Sequence, residues 1–159
     1  QGVMGSAAQQ GRTGALDAAV ASDGWNLVTQ QTAEWNAEKA QQIVQSVIDS
    51  GESFNVIYAE NDDMAKGAVA ALDKANIPHG VGKDVIIMGF DCNKWALEEL
   101  LAQNWNYDGQ CNPFQASYID DIIKTIQGGG TVAEKTIIMD EKGFDATTIT
   151  QEEVDAYGI

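Results

Sequence analysis

Phe54-Asn55-Val56-Ile57-Tyr58-Ala59-Glu60-Asn61-Asp62-Asp63-Met64 is the stretch that decides how this chain folds. A short apolar run, rich in β-branched and aromatic residues, runs straight into an amide and two acids. A helical stripe of Met64, Ala68, Val69 and Leu72 follows. The same grammar returns in Asp84-Val85-Ile86-Ile87-Met88-Gly89-Phe90-Asp91. Each run reads as a buried parallel strand feeding a helix, being too short and too β-branched for a buried helix. Asn61 or Asp62 supplies the cap of the helix after the first. In an open α/β sheet the carboxyl ends of the strands line one crevice, and ligands bind there. Asn61 and Asp91 are therefore expected to face one cleft.

The pattern extends in both directions. Further strand-like runs begin near Trp25 (Trp25-Asn26-Leu27-Val28), Trp105 and Lys135, the last with Thr136-Ile137-Ile138-Met139. Between them lie stripes of helical period. Ser6 opens one that should bury Ala15, Leu16, Ala19 and Val20. Asn36 opens another, with Ala40, Ile43, Val44, Val47 and Ile48 on one face. A fourth helix carries Trp95, Leu97, Leu100 and Leu101, and a fifth, after Pro113, should bury Tyr118, Ile119, Ile122, Ile123 and Ile126. Alternating strands and helices predict the α/β class: an open parallel sheet with helices on both faces. The shift at Gln110-Cys111-Asn112-Pro113 marks a candidate hinge or domain boundary between residues 1–110 and 111–159. Gln1-Gly2-Val3-Met4-Gly5-Ser6 reads as a strand end and a helix cap met in mid-fold, so the chain is expected to be truncated at its start.

Composition narrows the function. Nine Lys and Arg against 24 Asp and Glu leave a net charge of −15. That balance argues against nucleic acid, whose phosphates need clustered cations, and against an anionic membrane surface. No apolar run approaches the ~20 residues of a membrane span. One histidine, in a loop at His79, and two cysteines without metal spacing offer no zinc site. Cys92 and Cys111 each follow a crevice residue; a disulfide and two free thiols are both compatible with that placement.

Five side chains fall where the sheet places its cleft. Arg12 lies early in the first helix and Trp35 just before the second. Asn61 and Asp91 end two strands, and Gln110 ends a third. They supply a cationic fork, a flat aromatic face, two amides and a carboxylate. A neutral sugar needs that kit: its hydroxyls donate and accept to planar polar groups, and its C–H faces pack on a ring. Each residue also has a structural reading. Arg12 as a solvated helix residue, Trp35 as core, and Asn61 and Asp91 as helix caps each account for one position alone. Only the shared edge joins them.

These residues carry a resemblance. Gly5-Ser6-Ala7-Ala8 with Arg12, Ala33-Glu34-Trp35-Asn36, the stretch Tyr58 to Ala68, the stretch Gly82 to Asp91, and Gln110 shortly before Pro113 resemble the C-terminal part of type I periplasmic sugar-binding proteins of ABC transporters, the ribose- and galactofuranose-binding group. The resemblance covers essentially the whole chain. It implies that Arg12, Asn61, Asp91 and Gln110 hydrogen-bond sugar hydroxyls and that Trp35 and Phe90 pack on the sugar. Trp35 stands where ribose binders have a smaller aromatic, and a wider ring suits a pyranose or larger sugar. Gln10 stands where the family often has an arginine. The resemblance further implies an extracytoplasmic receptor, a membrane permease as partner, no cofactor, no catalysis, and a first lobe that this chain lacks. The apolar helix of Phe114 onward and Thr136–Met139 would pack on that lobe, or on a second copy as a swapped dimer.

Two rivals share the fold. The effector core of a sugar-responsive repressor would have the same pocket. A flavodoxin-like enzyme would use Asp62, Asp63 and Asp91 to hold Mg²⁺ for phosphoryl transfer, but the phosphate loop and nucleophile–base pair such chemistry needs are not evident.

Overall fold

Strand β1 (Val56–Tyr58) pairs in parallel with β2 (Ile86–Asp91), and β2 in parallel with β3 (Tyr107–Gln110). Strand β4 (Gly143–Asp145) adds an antiparallel edge to β3, so the sheet order is β1-β2-β3-β4. This is a computed structural model, and it describes residues 1–159. Helices α1 (Ala7–Asp23), α2 (Ala37–Ser50), α3 (Asp62–Lys74), α4 (Lys94–Leu101), α5 (Ala116–Gln127) and α6 (Gln151–Tyr157) complete the chain. The sheet is mixed and open, an α/β architecture with its parallel strands where the two apolar runs placed them.

Caps set the helix starts. Ser6, Asn36 and Asn61 each accept a hydrogen bond from a backbone N–H of the first turn, from Gln9, Lys39 and Met64 respectively. Thr150 and Glu153 form a reciprocal capping box on α6. Helices α2 and α3 pack against each other. The approach is close because position 67 is glycine: a Cβ there would lie 2.0 Å from the Ala37 carbonyl oxygen. Tyr58 meets the opposite helix layer, its hydroxyl donating to the Arg12 carbonyl of α1 at 3.0 Å. The core gathers Met64, Ala65 and Leu72 of α3, Ile87 of β2, Leu97 and Leu100 of α4, Trp105, Phe144 and Val154.

Four expectations are corrected. Trp25–Val28 is extended but forms no strand, because no backbone neighbour pairs with it. Thr136–Met139 is likewise no strand, and Ile138 is 84% exposed; a strand without a ladder partner gains nothing from its β propensity. Helix α1 buries only Gln9; Leu16, Ala19 and Val20 are half-buried and Ala15 is exposed. Helix α5 forms after Pro113 but buries none of its residues, leaving Tyr118, Ile119, Ile123 and Ile126 exposed. The chain then returns: β4 joins the sheet, and the Ile159 N–H donates to the Cys92 carbonyl at 3.1 Å. Both cysteines are free, Cys92 buried and Cys111 exposed.

Candidate ligand-binding site

Arg12 is the centre of the crevice. It sits in the second turn of α1, after the Ser6 cap has fixed where that helix begins. One guanidinium nitrogen, Nη1, donates to the Glu60 carbonyl at the end of β1. The other, Nη2, pairs with Asp91 Oδ1 at 3.1 Å at the end of β2. The guanidinium carbon lies 4.8 Å from the centre of the Phe90 ring and 5.8 Å from that of Trp35. A partly desolvated cation between two π faces is held in orientation as well as in charge.

The strand ends are built to present these groups. Asp91 and Cys92 take positive φ values of 116° and 60°, and Glu34 and Trp35 take 55° and 63°. Non-glycine residues rarely adopt that region, and strain of this kind gathers at binding sites. The Trp35 ring is pressed against Gly2, where a Cβ would come within 2.0 Å of it. Phe90 lies over Gly109, where a Cβ would come within 2.7 Å, and meets Tyr58 edge-on at 5.4 Å. Both aromatic faces thus depend on glycine neighbours.

Asn61 uses its Oδ1 to cap α3, accepting from Met64 N at 2.9 Å, and its Nδ2 has no protein partner. Asp91 keeps Oδ2 free beside its Arg12 pair. Gln110 lies opposite Asp91 in the β2–β3 register; its Oε1 accepts from Lys142 N at 3.2 Å, leaving Nε2 unbonded. The crevice therefore holds free donors and a free acceptor around a fixed cation. Burial pushes the Asp91 carboxyl above its ordinary value, and the Arg12 charge and hydrogen bond work the other way.

Glu60 is a site residue that sequence reasoning missed. It is buried, accepting from Gly2 N at 2.7 Å through Oε2 and from the Thr13 hydroxyl through Oε1. It fastens the start of the chain and α1 to the end of β1, and so sets where Arg12 stands. Burial, then the Glu60 charge, raises the Tyr58 hydroxyl to about 12, so it remains a donor.

Beneath the crevice lies a second acidic group. Asp62 Oδ2 accepts from Asn93 N at 2.9 Å and Asn93 Nδ2 at 3.1 Å. Its other oxygen and Asp108 Oδ2 are buried without another partner. Two carboxylates cannot both ionise at that contact. Desolvation, with Asp62 beside it, pushes Asp108 to about 9, while desolvation raises Asp62 to about 6. A proton held on Asp108 lets it donate to Asp62, and Cys92 Sγ donates to Asp108 Oδ1 at 3.8 Å. Asp62 thus serves the interior below Asp91, and no three metal-ligating side chains gather around it or elsewhere.

The sequence profile of the periplasmic binding protein domain matches residues 1–119. A fructose import binding protein of Bifidobacterium longum is 32% identical over 124 residues, 77% of this chain and 36% of that protein. A ribose import binding protein of Bacillus subtilis is 30% identical over 100 residues, 63% of this chain and 30% of that protein. The crystal structure of a galactofuranose binding protein superposes with a TM-score of 0.83 at 23% identity, covering 99% of this chain and 53% of the other. The binding protein of the arabinose ABC transporter from Shewanella sp. ANA-3 gives a TM-score of 0.84 at 23% identity, with 98% and 50% coverage. The chain spans about a third of the length of these curated relatives and about half of the structural ones. A profile match over most of the chain and a shared type I fold place it plainly: the chain belongs to the periplasmic binding protein domain family.

Proposed function

We propose that this chain is the C-terminal lobe of an extracytoplasmic sugar receptor serving an ABC importer. It contributes half of a site that closes on one neutral mono- or small oligosaccharide by hinge bending. The observation that carries the reading is the Arg12–Asp91 pair set between Phe90 and Trp35, with the free polar atoms of Asn61, Asp91 and Gln110 around it. The named relatives support it, being fructose and ribose import binding proteins. Arg12 and Asp91 neutralise each other, so the crevice favours a polyol over an ion. A wrong sugar leaves a buried polar group unpaired, at about 1–3 kcal/mol each. The receptor breaks no bond; it hands the sugar to a membrane permease. The exposed apolar face of α5 packs on the partner lobe of the receptor, or on a second copy in a swapped dimer.

Titration of the isotopically labelled chain with ribose, fructose and arabinose at millimolar concentration tests the half-site. The Trp35 indole and Arg12 guanidinium resonances should shift, and Asp91→Ala should abolish the shifts. Tight binding of any of these sugars by this chain alone overturns the half-site reading. In a receptor holding both lobes, Asp91→Ala should weaken binding by about 2–4 kcal/mol by calorimetry.

A further inference from the structure

Three consecutive residues at the end of β2 are tied to three different places. Asp91 pairs with Arg12 of α1 at 3.1 Å. The Cys92 thiol donates to Asp108 Oδ1 of β3 at 3.8 Å. Asn93 donates twice to Asp62 Oδ2 of α3, from its backbone N–H at 2.9 Å and from its side-chain amide at 3.1 Å. The turn that presents Asp91 to the crevice is therefore anchored on two acids of the interior.

The fold makes room for those acids. Asp108 is the register partner of Gly89 across the β2–β3 ladder. A Cβ on Gly89 would come within 2.7 Å of Asp62 Oδ1. The missing side chain thus lets Asp62 lie over β2 beside Asp108. Asp62, Cys92 and Asp108 are all 0% exposed. Asp62 Oδ1 and Asp108 Oδ2 have no other partner. With one proton between them, Asp108 donates to Asp62 and both orphan oxygens are satisfied. Without it, two like charges stand in contact in the interior.

The groups around the pair do not offset such charges. Strand β2 brings Asp91 and the Cys92 thiol, and α3 brings Asp63 on the Asp91 side. The cations of the surrounding elements are engaged elsewhere. Arg12 is held by Asp91, and Lys66 of α3 lies over the Trp95 ring. Lys94 of α4 pairs with Asp155, and Lys142, just before β4, pairs with Glu153. The backbone above the pair is strained as well, with φ of 116° at Asp91 and 60° at Cys92. Such a conformation persists only where its surroundings over-determine it.

We propose that Asp62 and Asp108 are positioning residues for Asp91: sharing one proton, they hold the Cys92–Asn93 turn in its left-handed form and so aim the Asp91 carboxylate at Arg12 and the crevice. When the proton leaves, the two carboxylates repel each other, the turn relaxes, and the crevice loses its fixed acceptor. Burial, with Asp62 beside it, raises Asp108 to about 9, which places the change there. A sugar held by Asp91 would then be bound more weakly over the same pH range, and only this consequence rests on the function proposed above.

The test uses the full chain, labelled with ¹³C, without sugar, titrated from about pH 7 to about pH 10. The Cα and Cβ shifts of Asp91 and Cys92 report their backbone torsions. They should leave their positive-φ values with the same midpoint as the Asp108 carboxyl carbon, near about 9. The carbons of Val44 on α2 should not move, which separates a local change from unfolding. Asp108→Asn, which donates to Asp62 without a titrating proton, should hold the Asp91 and Cys92 shifts at their neutral values throughout. If that variant does not fold, Asp62→Asn serves instead, its amide donating to Asp108 while its oxygen accepts from Asn93. Titration of Asp108 with no movement at Asp91 and Cys92 overturns the proposal. So does an unchanged step in a folded asparagine variant, or an Asp108 that titrates in the ordinary carboxylate range. Tight binding of a sugar by this chain alone would overturn the half-site reading and leave the positioning role standing.

Discussion

The two edges of the sheet are finished in different ways. Beyond β3, the chain supplies β4 as a further strand and α6 as a cover, and Val154 of α6 is 0% exposed. Beyond β1, nothing pairs, and Trp25 stays 44% exposed although it is as apolar as anything on the far side. Composition does not separate the edges. A backbone neighbour does: an apolar segment becomes core only when its N–H and C=O groups are satisfied as its side chains are buried. Residues at the β3 side should therefore carry the stability of the lobe, and those at the β1 side little of it.

The largest effect should come from Trp105, buried under β2 and edge-on to Trp95 at 5.8 Å. Trp105→Ala should lower the unfolding free energy by about 3–5 kcal/mol in urea titrations. An effect no larger than that of Leu16→Ala would break the contrast between edges.

The buried acid pair should give the next largest effect, through pH. Asp108 and Asp62 hold their protons more tightly folded than unfolded, so the folded state binds more protons between the ordinary carboxylate range and about 9. Stability is then greatest at the acidic end of that window and falls as pH rises through about 6 and about 9. The loss should be on the order of a few kcal/mol. Asp108→Asn, which donates to Asp62 without a titrating proton, should flatten the slope from the ordinary carboxylate range up to about 9. An unchanged slope would remove the pair as its source.

At the open edge, Leu16→Ala should cost under about 1 kcal/mol, because the side chain is only half-buried. Smaller still, Ile123→Ser on the exposed face of α5 should stay within about 0.5 kcal/mol and reduce self-association in light scattering. A large destabilisation there would show that α5 is already packed in solution.

The same contrast separates what is legible in the amino-acid sequence from what is not. The runs at Phe54 and Asp84 become β1 and β2 because their apolar patterns are continuous and a helix follows each. Ser6, Asn36 and Asn61 are legible as caps because capping is local chemistry. Arg12, Trp35, Phe90 and Asp91 do meet, since strand order decides which ends are neighbours. Trp25–Val28 and Thr136–Met139 read as strands because propensity says nothing about who pairs with them. Strand β4 is not legible because Gly143-Phe144-Asp145 is too short to show alternation. Asp108 carries a usable signal, an acid inside a strand between Tyr107 and Gly109, and Glu60 carries another, closing an apolar run.

Glu60 also bears on the order in which the lobe assembles. Its bonds to Gly2 and Thr13 span 58 and 47 residues, and the Arg12–Asp91 pair spans 79. Strands β2 and β3 with α4 between them are joined by far shorter loops. Closing a long loop costs more entropy than closing a short one, and repays it only once both ends are in place. The crevice is therefore tied together last. Arg12 and Asp91 stand 79 residues apart in the chain, so the binding groups remain apart until the interior beneath them is set.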